Sequence, residues 1–136
     1  GFSNGATCTY QVGLDQPDRY GTLLAIAAEV HPGSDMSEEA RFATFGNDHA
    51  AYAAVEPLAV MARHAPYPDT LLIHGVGEKD GAYSDYADTL LAAAQQAGIT
   101  TKRLVAPGSG HDFRTVAWVC QQALPLVAQR AGLITG

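Results

Sequence analysis

Three stretches of strand length, set among runs of helical periodicity, restrict the fold more than any other feature of this sequence. Thr22–Ala28 reads TLLAIAA, Thr70–His74 reads TLLIH and Thr100–Ala106 reads TTKRLVA. The first two are apolar almost throughout instead of alternating, the pattern of strands covered on both faces in a parallel sheet. The third carries Lys102 and Arg103 and is expected to be more exposed. Ahead of the first strand, Ala6, Tyr10 and Leu14 recur at helical spacing in a short helix that QPDRY ends and Gly13 weakens slightly. Between the second and third strands, AYSDYADTLLAAAQQAG puts Tyr83, Tyr86, Ala87, Leu90, Leu91 and Ala94 on one helical face, with Gly98 placed to stop the helix. After the third, RTVAWVCQQALPLVAQRAGL turns Val116, Val119, Ala123, Leu126 and Val127 inward, and Pro125 is expected to kink it. The alternation predicts right-handed βαβ units: an α/β fold of three parallel strands with flanking helices.

Residues 31–69 break this rhythm. The segment is too long for a plain loop and too irregular for a simple crossover, so it is expected to be a helical excursion. Two short helices are predicted there, near Ser37–Phe42 and near Asp48–Arg63, with Pro57 breaking or kinking the second.

Composition fits one domain with a genuine core. The 136 residues are 47% hydrophobic and only 16% charged, which argues against disorder. The net charge of −6 comes with sparse, scattered basic residues. No Lys/Arg cluster exists to follow phosphates, so no nucleic-acid partner is expected. No apolar run is long enough to span a bilayer, so no membrane insertion of this segment is expected. Cys8 and Cys120 match no C-x-x-C spacing and read as two buried small hydrophobes.

In parallel α/β sheets the chemistry sits beyond the carboxyl ends of the strands. Three loops qualify. GFSNGA, Gly1–Ala6, holds Ser3 in a Gly-x-Ser-x-Gly pattern, in which a sharp strand-to-helix turn exposes the hydroxyl and small neighbours at Gly1 and Gly5 avoid clashes. HGVGEKDG, after the second strand, holds Asp80, and PGSGHDF, after the third, holds His111. Each has an ordinary alternative: Ser3 as a helix N-cap, Asp80 as a turn aspartate before Gly81, His111 as a solvent histidine. The occurrence of all three after successive strands favours the joint interpretation over any one alone.

With the loops in this order, the sequence resembles the C-terminal half of an α/β-hydrolase, in the esterase group that includes esterase D-like and enterochelin-esterase-like enzymes and mycolyltransferases. GFSNGA resembles the nucleophile elbow, DQPDRY the approach to the sixth strand, LLIHGVGEKDG the acid loop and APGSGHDF the histidine loop. The resemblance implies Ser3 as nucleophile, His111 as general base and Asp80 as the acid that orients the imidazole, with the N–H of Asn4 as one oxyanion donor. Glu78, counted from Gly75, fits the acid register as well as Asp80 counted from Gly77. Asp112 is expected to point elsewhere. The implied substrate is a small-molecule ester, hydrolysed or passed to another hydroxyl, without a metal or organic cofactor; a non-catalytic binding or scaffold domain is the alternative. The compartment leans to secreted or cell-surface, with the cytoplasm open.

The family places about five strands and a second oxyanion donor ahead of the elbow. The chain is therefore expected to be a segment of a larger hydrolase, weakly active or inactive alone. One edge of strand 22–28 is expected to be open, apolar and free of Lys or Pro, inviting self-association or pairing with the upstream half. His31, His49 and His64 read as solvent histidines and not metal ligands, His74 as a support for the acid loop, Tyr83 and Tyr86 as core, and Trp118 as packing between the last helix and the sheet.

Overall fold

The computed structural model describes residues 1–134. Three strands form one parallel sheet in the order β1-β2-β3: β1 Thr22–Ile26, β2 Leu71–Gly77 and β3 Thr100–Ala106. Thr22 lies opposite Leu71, and Leu71 opposite Thr100, so the strands start level and their carboxyl ends face one way. The helices are α1 Asn4–Asp15, α2 Glu38–Ala43, α3 His49–Ala54, α4 Pro57–His64, α5 Ala82–Gln96 and α6 Phe113–Arg130.

Side-chain alternation divides the core into two layers. Leu23, Ala25 and Leu72 face α1, α4 and α5, where Ala6, Tyr10, Leu14, Met61, Leu90 and Ala94 are buried with them. Ile26 and Ala106 face α6, which brings Val119, with Trp118 partly buried beside it. Tyr10 and Leu14 are wholly buried. Each such side chain stabilises by on the order of 2 kcal/mol, which outweighs the ~1 kcal/mol that Gly13 costs inside α1.

Several expectations need correction. β1 ends at Ile26, not Ala28, because Ala27 takes φ 55° and turns the chain out of the sheet. β2 continues past His74 to Gly77, since Gly75–Gly77 stay paired with Leu104–Ala106. Of the two outcomes expected at Pro57 the break holds, and Pro57 also starts the next helix. It occupies the first turn of α4, where its missing N–H costs nothing, and α3 ends at Ala54. Pro125 lies inside α6 without dividing it. Cys8 is exposed on α1 and Cys120 half-buried, both free thiols, so neither is the buried hydrophobe expected.

The free side of β1 is partly filled by the chain itself. Ile26 N–H donates to the Gly1 carbonyl at 2.9 Å, Ser3 N–H donates to the Ile26 carbonyl at 2.9 Å, and the terminal amine donates to the Leu24 carbonyl at 2.8 Å. In a parallel strand alternate residues bond to the same side. Thr22 therefore presents its N–H and C=O to that edge, where no partner stands among the described residues.

Candidate active site

The short parallel bridge of Phe2 with Ile26 delivers the chain into α1 through one abrupt turn. Ser3 sits at that turn with φ 54° and ψ −124°, a left-handed conformation that non-glycine residues avoid. A Cβ on Gly1 would lie 2.1 Å from the Gly5 carbonyl oxygen, so residue 1 must be glycine for the turn to close. Gly5 is different: a Cβ there would meet nothing within 4 Å, and the steric reason expected for it does not hold among the described residues. Ser3 occupies the N-cap position, yet its hydroxyl caps nothing. It lies 2.9 Å from Nε2 of His111 instead.

Asp80 and His111 arrive on loops that are tied together. Glu78 N–H donates to the Ala106 carbonyl at 3.0 Å and Lys79 N–H to the Ser109 carbonyl at 2.8 Å. Gly77 permits this approach, since a Cβ there would stand 2.6 Å from the carbonyl oxygens of both Ser109 and Gly110. Thr115 Oγ1, 2.7 Å from Ser109 Oγ, donates to the Gly110 carbonyl at 2.6 Å and braces the loop from α6. The result places Nδ1 of His111 3.1 and 3.2 Å from the two carboxylate oxygens of Asp80.

Glu78, the alternative acid, is not part of this line. Its Oε2 accepts the Gly108 N–H at 2.6 Å and so holds the histidine loop. Asp112 points away, as expected, and caps α6 by accepting the N–H groups of Arg114 and Thr115.

Electrostatics distinguish the members. The Asp80 side chain is only 3% exposed and that of His111 33%. Burial pushes the Asp80 carboxyl above its ordinary value, while the charge and hydrogen bond of His111 pull it back. An ionised Asp80 accepts the Nδ1 proton, which leaves the Nε2 lone pair facing Ser3. The Asn4 N–H heads α1, with no acceptor among the described residues, and adds to the positive end of the helix dipole beside Ser3.

Two aromatic residues belong to the site although the sequence did not mark them for it. Tyr83, expected in the core, is half-buried and stacks on the His111 ring with centroids 4.2 Å apart. Burial raises its phenol above the ordinary value, and its interaction with the Ser3 side chain opposes that. Phe2 packs on the same imidazole at 4.8 Å and touches Phe113 at 5.6 Å. The available signal was position: Tyr83 is the second residue of α5, three after Asp80, at the end of the apolar stripe that overhangs the carboxyl ends of the strands.

The other histidines lie elsewhere. His31 pairs with Glu56 at 2.5 Å, His64 with Asp15 at 3.2 Å, and His49 stacks on Phe42 at 3.7 Å. His74 does not support the acid loop. It is wholly buried, and its Nδ1 lies 2.7 Å from the Tyr10 hydroxyl.

Comparison with known proteins agrees with this architecture. The chain is 26% identical to an uncharacterized protein of Corynebacterium glutamicum over 98% of its own length and 32% of the relative's. It superposes on an S-formylglutathione hydrolase of Agrobacterium tumefaciens with a TM-score of 0.74 at 21% identity, covering 96% of this chain and 47% of that one. It superposes on the capsule O-acetyltransferase of Neisseria meningitidis serogroup A with a TM-score of 0.76 at 17% identity, covering 93% and 53%. The chain thus spans about half the length of these structures and about a third of the sequence relative. The fold is that of the α/β-hydrolases, as the three loops implied. The model of the prolyl oligopeptidase family matches residues 1–123, from the elbow through most of α6, and the chain belongs to that family.

Proposed function

We propose that this chain carries the catalytic triad of a serine hydrolase acting on carboxylic esters, with Ser3 as nucleophile, His111 as general base and Asp80 as its orienting acid. The observation that carries this is the unbroken line from Ser3 Oγ to Nε2 at 2.9 Å and from Nδ1 to Asp80 at 3.1 Å, anchored on a strained turn. The strain is an argument in itself. A positive φ at a serine costs of order 1–3 kcal/mol and persists only where its surroundings enforce it.

The chemistry follows from the geometry. As the Ser3 oxygen bonds to the ester carbonyl carbon, its proton passes to Nε2 of His111 and the carbonyl π pair moves onto oxygen. Asp80 stabilises the imidazolium, and the Asn4 N–H faces the developing oxyanion. Collapse of the tetrahedral intermediate breaks the bond to the alkoxy oxygen, which takes the proton from Nε2. Water then repeats the sequence on the acyl-serine and frees the acid. An alcohol in place of water gives acyl transfer instead, a second outcome supported by the likeness to an O-acetyltransferase.

Labelling with a fluorophosphonate tests the proposal. A single adduct on Ser3 is expected, lost in Ser3→Ala and slowed by about 10² or more in His111→Ala. The segment alone is expected to react weakly, so the label is read on the protein that also carries the upstream half; if that takes no label on Ser3, the chain is a binding or scaffold domain and the proposal fails.

A further inference from the structure

The stretch that follows β1 builds a second feature next to the triad. Glu29 is 2% exposed, and its carboxylate accepts the N–H groups of Gly33 at 2.9 Å and Ser34 at 3.1 Å. Its own N–H donates to Thr7 Oγ1 at 3.0 Å, which moors the turn to α1. From the other side, the Tyr52 hydroxyl donates to the Pro32 carbonyl at 3.0 Å. Between this turn and α2 lies a cleft of about 270 Å³, with Asn4, Pro32, Met36, Arg41, Phe45 and Tyr52 among the residues that line it. Asn4 is shared: it follows Ser3 at the head of α1, and it also borders the cleft.

Arg41 is the cation of this cleft, and its pairing is incomplete. Its Nε is buried with no hydrogen-bond partner among the described residues. Its closest polar contact is weak, Nη1 lying 3.5 Å from the Tyr52 hydroxyl, with the guanidinium carbon 6.0 Å from the centre of that ring. Arg63 pairs with Asp15, Arg103 with Asp88 and Arg114 with Asp112, whereas Arg41, like Arg19 and Arg130, makes no ion pair among the described residues. Asp35 lines the same cleft but is exposed and makes no ion pair with Arg41. Arg41 lines the cleft with no ion-pair partner among the described residues, and a guanidinium is suited to a planar carboxylate, which it binds through two parallel N–H···O bonds.

We infer that the cleft is the acyl-side subsite of the proposed hydrolase and that Arg41 selects esters whose acyl chain ends in a carboxylate. The inference rests on the hydrolase proposal for its ester and on Arg41 for its anion. With the carbonyl oxygen at the Asn4 N–H, an acyl chain of a few carbons enters the cleft beside Met36 and Phe45. Its terminal carboxylate reaches the guanidinium, and neutral acyl chains of the same length lack that contact.

The test uses the chain carrying Ser3→Ala, which binds without turnover, labelled with ¹⁵N and titrated with monomethyl glutarate. The neutral comparison is methyl pentanoate. A saturable shift of the Arg41 Nε–H signal is expected with the hemiester and none with the neutral ester. Adding Arg41→Gln weakens hemiester binding by about ten-fold or more, and Arg41→Lys retains part of it. An unmoved Nε–H signal, or equal affinity for the two esters, overturns the inference without reference to any variant's folding. Fluorophosphonate labelling of the unsubstituted chain is read separately. Labelling without hemiester binding removes only the subsite, whereas hemiester binding without labelling removes the hydrolase proposal and with it the claim that the bound ester is a substrate.

Discussion

His74 makes a stability prediction whose size follows from its surroundings. The ring is wholly buried on the face of β2 that meets α1. Nδ1 lies 2.7 Å from the Tyr10 hydroxyl, and Nε2 has no partner among the described residues. Burial keeps the Tyr10 phenol protonated far above its ordinary range, so its O–H is available to donate. The arrangement with fewest unpaired groups is Tyr10 O–H donating to Nδ1 of a neutral imidazole, which leaves only the Nε2–H without a partner; the reverse tautomer leaves both Nε2 and the Tyr10 O–H unpaired. Protonation would bury a cation with nothing to receive it, and Arg103 adds repulsion; burial first, then that charge, lowers the pKa from 6.5 to about 4. The folded pKa lies below the unfolded one, so the unfolded chain binds the extra proton first as pH falls. Stability is complete above the unfolded value and is lost between about 6.5 and about 4. A shift of about 2.5 units amounts to about 3 kcal/mol, of which roughly 2.5 is lost between about pH 7.5 and about pH 4.5. Asp80 works in the opposite direction, because its folded pKa is raised and acid protonates it first in the folded state. The assay is urea denaturation at both pH values, for the unsubstituted chain and for the double variant Tyr10→Phe/His74→Leu, which removes both polar partners. The double variant is expected to lose about 2.5 kcal/mol less across the interval. The same acid loss in both proteins would show that His74 is not held neutral and would refute the argument.

Gly77→Ala would drive a methyl group against two carbonyl oxygens of the histidine loop, and a cost of about 1–3 kcal/mol in denaturation midpoints is expected, with slower labelling of Ser3. Tyr83→Ala removes the ring stacked on His111 and is expected to slow fluorophosphonate labelling by about ten-fold, while Tyr83→Phe keeps the stack and most of the rate; equal rates in all three proteins would place Tyr83 outside the machinery. The exposed backbone of Thr22 on the β1 edge is expected to make the chain self-associate by strand pairing, seen as a rising sedimentation coefficient with concentration, and Thr22→Pro, which deletes an edge donor without touching the ladder to β2, is expected to suppress it.

Local pattern was enough for most of the fold and failed where one residue type serves two ends. Continuous apolarity marked β1 and β2, and the Lys102–Arg103 pair marked β3 as the exposed strand. In β2 the glycines at 75 and 77 read as the start of a loop, yet they are strand residues, placed there because α6 and the histidine loop press against the backbone. Pro57 read as a break or a kink, and the break holds, but its role as a first-turn residue depends on the preceding segment having already stopped at Ala54. In both cases the deciding partner is far away in sequence, and no local window contains it.

The site shows the same division more sharply. The convergence of Ser3, Asp80 and His111 was legible because each lies on a loop of recognisable pattern, and parallel strands of level register bring those loops together. Glu78 and Asp80 differ by two positions, and only the path of the histidine loop separates them: Gly108 presents an N–H to Glu78, and His111 presents Nδ1 to Asp80. Tyr83 and Phe2 were hidden for a different reason. An aromatic residue on a helical stripe is core wherever the stripe lies over the sheet, and becomes part of the site only where it extends past the strand ends. Tyr83 and Leu90 are two turns apart on α5; Leu90 is sealed beneath the sheet, while Tyr83 lies against the His111 imidazole, whose Nε2 is 2.9 Å from the Ser3 hydroxyl. The same packing that builds the core therefore also holds the histidine, so a substitution that loosens the first turn of α5 should be read in the rate of Ser3 labelling before it is read in stability.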